Sequence, residues 1–219
     1  MLTEPDKIVI DYYLFGLNME ARGKNLTAAE RRSMTVISVV ELAGVLNPAN
    51  ITTEAIAQRM NLTQGALFRH FPNKDAIWEE VMNWVEQTLY SRIMKAIQEN
   101  SHSALAALEG VFMQHVDFVL AYPGVPRVLF GELQHVETTP AKRIALDLIQ
   151  RYGERIRQLL EDGKAQKEII PGLDSKAAAI LFIGTLQGLV MQSLLASDIQ
   201  LMKQNAGSVF SLYLRAIRS

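Results

Sequence analysis

An all-α chain is what this sequence predicts, and three observations predict it. Apolar residues recur at helical spacing along most of the 219 residues, and no stretch alternates as a half-buried strand would. Cap signals stand where the helical patterns begin, as with Thr27 and Glu30 three residues later. With 49% hydrophobic and 21% charged residues, the chain can bury a real core.

The first helix is expected to follow Thr27, with Met34, Ile37, Val40 and Gly44 on one face and Val36, Val39 and Leu42 beside them. The Asn47-Pro48-Ala49-Asn50 turn should stop it. Further helices read as 52–60, 63–70, 74–99, 103–121, 125–135, 140–165, 175–196 and 200–217, with no internal repeat. The run from Ala177 to Ala196 is long enough to raise the question of a membrane span. Thr185, Gln187, Gln192 and Ser193 interrupt it, and Gly184 and Gly188 sit within it, so a helix buried on every side is the expectation, and no membrane partner. Residues 1–26 form an N-terminal extension, apolar and aromatic from Ile8 to Leu17. It reads either as an added helix or strand on the body, or as sequence upstream of a start at Met19.

The absence of cysteine excludes disulfides, thiolate metal sites and a cysteine redox sensor, and fits a reducing cytoplasm. The formal net charge is −1, so no global basic field points to nucleic acid. From Glu20 to Lys74, however, seven Lys and Arg face four acids, a local balance of +3. A locally basic head on an acidic body suits a protein that meets phosphates at one end.

The informative segment runs from Ile51 to Lys74, ITTEAIAQRMNLTQGALFRHFPNK. Thr52 or Thr53 can cap a short helix, and Glu54 favours its positive end. Ile56 and Met60 should face inward, and Ala57 is small enough for another helix to cross closely. Asn61 sits where the chain must reverse, and asparagine tolerates the left-handed conformation such turns demand. Leu62 plugs the core and Thr63 caps a second helix, with Leu67 and Phe71 inward and Gln64, Ala66, Arg69 and His70 outward. Two short helices joined by a tight turn, the second polar outside, make a helix-turn-helix.

This segment resembles the signature of the TetR family of transcriptional regulators. The positions that carry the resemblance are Thr52, Thr53, Ile56, Ala57, Thr63, Gly65, Leu67, Phe68, His70, Phe71 and Lys74, in near-unbroken register over about 30–80. Asn61 stands where the family usually has Gly. Phe68 stands where Tyr is usual, which removes a hydroxyl contact to a phosphate. The resemblance implies a helix-turn-helix DNA-binding domain at 27–72 and a helical effector-binding and dimerisation domain at 73–219. It also implies roles. Thr52 or Thr53 and Thr63 would present cap hydroxyls and helix-start amides to phosphates. His70 and Lys74 would grip the backbone, and Phe68 would lie at the contact surface as well as in the core. Gln64, Gly65, Ala66 and Arg69 would lie nearest the bases, where Gln can pair with adenine, Arg with guanine and the Ala66 methyl with thymine. Taken alone, His70 reads as a capping or core histidine; beside Phe71 and Lys74 the contact reading prevails.

A single head binds too few base pairs, so a homodimer on double-stranded DNA is expected, its recognition helices roughly 34–36 Å apart. Gly184 and Gly188, one turn apart, mark the helix 175–196 for pairing, with Ile180 and Met191 on it and Val209 and Tyr213 on the last helix. The resemblance further implies an effector cavity among the middle helices, for which Phe112, His115, Phe118, Phe130, Gln134 and Gln187 are the candidate lining. A small hydrophobic or aromatic effector suits that lining. The segment from Pro123 to Phe130 resembles one found in regulators often associated with efflux genes. His115, Glu132 and His135 read as a packed or solvated set rather than metal ligands, and neither metal nor cofactor is expected.

The expected function is therefore a sequence-specific, non-enzymatic repressor, cytoplasmic and nucleoid-associated, released when its effector tilts the helix that begins at Asn73. The layout also resembles nucleoid-occlusion members of the family, which bind many chromosomal sites and a division protein. A purely structural helical protein is a further alternative, but it leaves the 51–74 pattern unexplained. No phosphate-cradling Gly loop, nucleophile elbow or zinc-spaced ligand pair suggests an enzyme.

Overall fold

The structure, a computed structural model, describes residues 26–219. Apart from Leu26, the N-terminal extension lies outside the described residues. The described chain is helical: α1 (Ala28–Val45), a 3-10 turn (Pro48–Asn50), α2 (Thr53–Arg59), α3 (Gln64–Leu67), α4 (Lys74–Glu99), α5 (Ala104–Ala121), α6 (Val125–Leu133), α7 (Pro140–Ala165), α8 (Ser175–Leu195) and α9 (Gln200–Ile217). Among the described residues the only strand-like pairing is an isolated antiparallel bridge between Ile169 and Arg218. The chain divides into two compact units: residues through 88 with 123–145, and 89–122 with 146–219.

In the first unit α1 starts with the capping box that Thr27 and Glu30 predict. The Glu30 amide donates to Thr27 Oγ1 at 3.2 Å and the Thr27 amide to Glu30 Oε2 at 2.8 Å. The middle of α1 is buried on all sides, from Thr35 through Val40. Asn47 caps the following turn through its side-chain oxygen, which accepts from the Ala49 amide at 3.0 Å. The start of α6 presses directly against α1. A Cβ at Gly124 would lie 1.9 Å from the Val40 carbonyl oxygen and 2.8 Å from the Gly44 nitrogen. Only a glycine fits there.

In the second unit α5, α8 and α9 pack around a cluster of rings. Phe112 meets Phe182 edge-on at 5.5 Å and Phe210 tilted at 5.0 Å, and Phe182 meets Tyr213 edge-on at 5.5 Å. Such edge-to-face contacts add about 0.5–1.5 kcal/mol each beyond the area they bury. The C-terminus is tied back by two backbone bonds, Ile170 N to the Ile217 carbonyl and Ser219 N to that of Glu168, both 3.0 Å.

Two expectations change. The helix 175–196 is not buried on every side: α8 turns Phe182, Leu186, Leu189 and Val190 inward and leaves Ile180, Leu181, Gly184, Gln187, Gly188, Met191 and Leu195 outward. Its all-round apolarity reflects two apolar faces of which its own unit covers one. By length and apolar composition alone, α5 and α8 could each cross a membrane. The second helix of the motif is also shorter than 63–70. Its helical run ends at Leu67, and 68–70 close as a turn, with the His70 amide on the Leu67 carbonyl at 3.0 Å. Pro72 disfavours helical backbone at Phe71 and lacks an amide hydrogen, so the helix cannot run on.

Candidate nucleic-acid interface

The motif builds itself from its caps. Thr52 Oγ1 accepts from the Ala55 amide at 3.1 Å and starts α2. Thr63 Oγ1 accepts from the Ala66 amide at 3.3 Å and starts α3. Between them Asn61 adopts φ 54°, the left-handed turn that its residue type permits. Ile56, Ala57, Met60, Leu67 and Phe71 are buried and lock the two helices to the unit. Leu62 is half-buried.

This leaves an outward surface. Thr52, Thr63, Gln64, Gly65, Phe68 and Arg69 are exposed, and Thr53, Ala66, His70 and Lys74 are half-buried. Phe68, at 41% exposure, adds an aromatic ring to this surface. A Cβ at Gly65 would touch nothing within 4 Å, so its smallness is not needed by its own unit. Gln64 is held in place, its amide nitrogen donating to Thr53 Oγ1 at 2.6 Å. Lys74 at the start of α4 carries its ammonium 5.7 Å from the centroid of the Trp78 ring. Asn73 caps α4 through a 2.9 Å bond from the Ala76 amide.

Arg32, which sequence reasoning only counted among the basic charges, has a structural role. Its guanidinium lies 4.8 Å from the Phe71 ring centroid, donates to the His70 carbonyl at 3.1 Å and pairs with Glu80. It ties α1 to the segment that follows α3 and to α4, which fixes the exit of α3. Residues so far apart in the chain share no local spacing that could have revealed this. Arg59, counted among the basic charges, is paired with Glu41 at 2.8 Å.

The candidate effector residues are divided between the two units. Phe112, His115, Phe118 and Gln187 belong to the second unit, whereas Phe130 and Gln134 belong to the first. Gln187 is exposed on the outward face of α8, while Phe112 and Phe118 are fully buried. His115 stacks on Tyr152 with centroids 5.7 Å apart. Burial lowers the His115 pKa to about 4 and raises that of Tyr152. His115 Nδ1, Tyr152 OH and Arg155 Nε are sealed from solvent and meet no hydrogen-bond partner among the described residues. The family resemblance pointed to His115 but gave no sign of Tyr152 or Arg155, which come from α7.

Of the pairing residues, Ile180 is 65% and Met191 43% exposed. Gly184 and Gly188 are open, with nothing within 4 Å of an added Cβ. Val209 is half-buried, and Tyr213 is turned into its own unit, where its hydroxyl donates to the Ala178 carbonyl at 3.1 Å. Leu212, 65% exposed, takes the outward place on α9. His115 lies in a different unit from Glu132 and His135, and among the described residues no three His, Cys, Asp or Glu side chains could hold a metal ion.

A capped two-helix motif with an open polar face, followed by a helical body, defines a helix-turn-helix DNA-binding regulator. The profile of bacterial regulatory proteins of the tetR family matches residues 40–81, and that of the tetracyclin repressor-like C-terminal domain matches 101–191. Together they cover more than half of the chain. The protein belongs to the TetR family of DNA-binding transcriptional regulators. Among curated relatives, nucleoid occlusion factor SlmA of Marinobacter nauticus is 25% identical over 189 residues, 85% of this chain and 95% of the relative. SlmA of Marinomonas sp. is 24% identical over 159 residues, 73% of this chain and 80% of the relative. A TetR transcriptional regulator from Chloroflexus aurantiacus shares the fold with TM-score 0.73 at 17% identity, covering 87% of this chain and 98% of that one. So does FadR from Bacillus subtilis, solved in complex with stearoyl-CoA, with TM-score 0.71 at 20% identity, covering 83% and 97%.

Proposed function

We propose that the protein is a repressor that binds its operator as a homodimer and is released by a small apolar effector. The observation that carries the reading is the outward face of α3: Thr63, Gln64, Gly65, Phe68 and Arg69 exposed while Leu67 and Phe71 are buried beneath them. In this reading Thr52, Thr53, Thr63, His70 and Lys74 hold phosphates, and Gln64, Gly65, Ala66 and Arg69 read base edges. A mobility-shift assay with the protein's own upstream DNA tests it, and no sequence-specific binding even at low salt ends it. Lys74→Ala should weaken binding to every duplex and flatten the slope of log affinity against log salt by about 0.9. A slope equal to wild type would remove Lys74 from the phosphate contacts.

For the effector, an apolar body with an acceptor-rich head suits the second unit. Tyr152 OH and Arg155 Nε can donate to such a head, and His115, neutral at physiological pH, can accept through Nδ1 or donate. FadR, whose fold this chain shares, was solved with stearoyl-CoA, a ligand of that general build. Burial of His115 has a consequence for stability. Its folded pKa, about 4, lies below the unfolded value of 6.5, so the unfolded chain binds more protons between them. Stability is whole above the unfolded value and falls as pH drops from there to the folded one, by on the order of 3 kcal/mol. Urea denaturation over that range measures it, and His115→Leu should remove most of this slope.

The relatives named nucleoid occlusion factors favour a second reading, binding at many dispersed chromosomal sites together with a division protein. Genome-wide occupancy separates the two: one or few promoters for the repressor, dozens of dispersed sites for the alternative.

A further inference from the structure

A cleft of about 540 Å³ opens in the first unit between the 3-10 turn, the start of α4, the end of α6 and the start of α7, with Gln134, one of the candidate effector residues, in its lining. Pro48, Val128 and Pro140 give it apolar walls, and Trp78 contributes its ring. Glu132, a residue only 7% exposed, supplies a carboxylate. Thr139 donates to its Oε2 at 3.1 Å, while Oε1 has His135 Nε2 no nearer than 3.9 Å. Asp75 adds a second carboxylate at the rim, and the nearby Lys142 ammonium is spent on the His135 carbonyl. A buried carboxylate lining the same cleft as an aromatic ring is a setting for a cation. The Trp78 face already carries one, the Lys74 ammonium.

We propose that this cleft is a second binding site, taking a small organic monocation with a flat apolar body that displaces Lys74 from the Trp78 face. Glu132 neutralises the charge, and the proline and valine walls cover the body. The site stands without DNA. Its coupling to DNA rests on the phosphate role proposed for Lys74: a duplex that draws Lys74 outward clears the ring, so duplex and cation favour each other's binding.

Equilibrium dialysis of the full-length protein against phenyltrimethylammonium, and against its uncharged isostere tert-butylbenzene, tests the site. The cation should be retained and the isostere bound about tenfold more weakly. Lys74→Ala, which removes the competitor, should tighten the cation about threefold, and Glu132→Gln should weaken it by at least that factor. Trp78→Leu should abolish retention. Trp78→Phe, which keeps a ring and the packing, should preserve part of it. Equal retention of cation and isostere, or a Lys74→Ala affinity no tighter than wild type, overturns the proposal. Adding duplex should tighten the cation in wild type but not in Lys74→Ala, net of binding to duplex alone. If both retain it equally while the duplex-free results hold, the cleft stands and the phosphate role of Lys74 falls.

Discussion

Ile180→Glu combined with Leu181→Glu should give a folded monomer whose operator affinity has fallen by about a thousandfold. The two residues are 65% and 55% exposed, so the charges cost the isolated subunit little. In the proposed dimer they would be buried against a partner, where two pairs of unmatched carboxylates cannot be accommodated. The argument for a partner lies in what α8 leaves open. Gly184 and Gly188 have no neighbour in their own chain that demands a missing side chain, and both lie on the outward face of α8. Small residues one turn apart allow a second helix to approach closely, and α9 with Leu212 extends the same kind of surface. Sedimentation gives the state of association, and fluorescence anisotropy on operator DNA gives the affinity. A double variant that still sediments as a dimer would remove this face from the interface.

Gly124→Ala should be the most destabilising single methyl addition in the first unit, costing about 3 kcal/mol. The added carbon would lie 1.9 Å from the Val40 carbonyl oxygen, which belongs to the backbone of a buried helix and cannot swing aside as a side-chain end could. Relief requires α6 to back away from α1, so operator affinity should fall with stability. Gly65→Ala is the contrast: its Cβ meets nothing, and stability should hold or rise slightly while DNA binding suffers. Thermal unfolding of both variants separates the effects, and a Gly124→Ala protein as stable as wild type would refute the packing argument.

Much of this architecture could be read from residues in sequence. Thr27 with Glu30, Thr52, Thr63 and the left-handed Asn61 are local devices whose geometry involves near neighbours, and the structure forms each of them. What stayed hidden depends on residues far apart in the chain. Nothing around Arg32 announces that it reaches Phe71 and Glu80. Nothing around Gly124 announces the Val40 carbonyl; the segment drew notice only through resemblance. The sequence reading placed Tyr213 among the pairing residues, but which side of α9 meets its own unit is decided by Phe182 and Phe210. Likewise, composition made α8 look wholly interior, because an uncovered apolar face and a covered one have the same residues.

The bond from the Gln64 amide to Thr53 bears on how sharply one letter of the operator would be read. A glutamine that swings freely must give up rotational freedom to recognise a base, and that loss blunts its preference. Here one amide hydrogen is already committed, while the other and the carbonyl oxygen remain free to face a duplex. In the proposed complex Thr53→Ala should therefore make that single base pair more interchangeable, and the loss of its phosphate contact should weaken binding to every duplex as well.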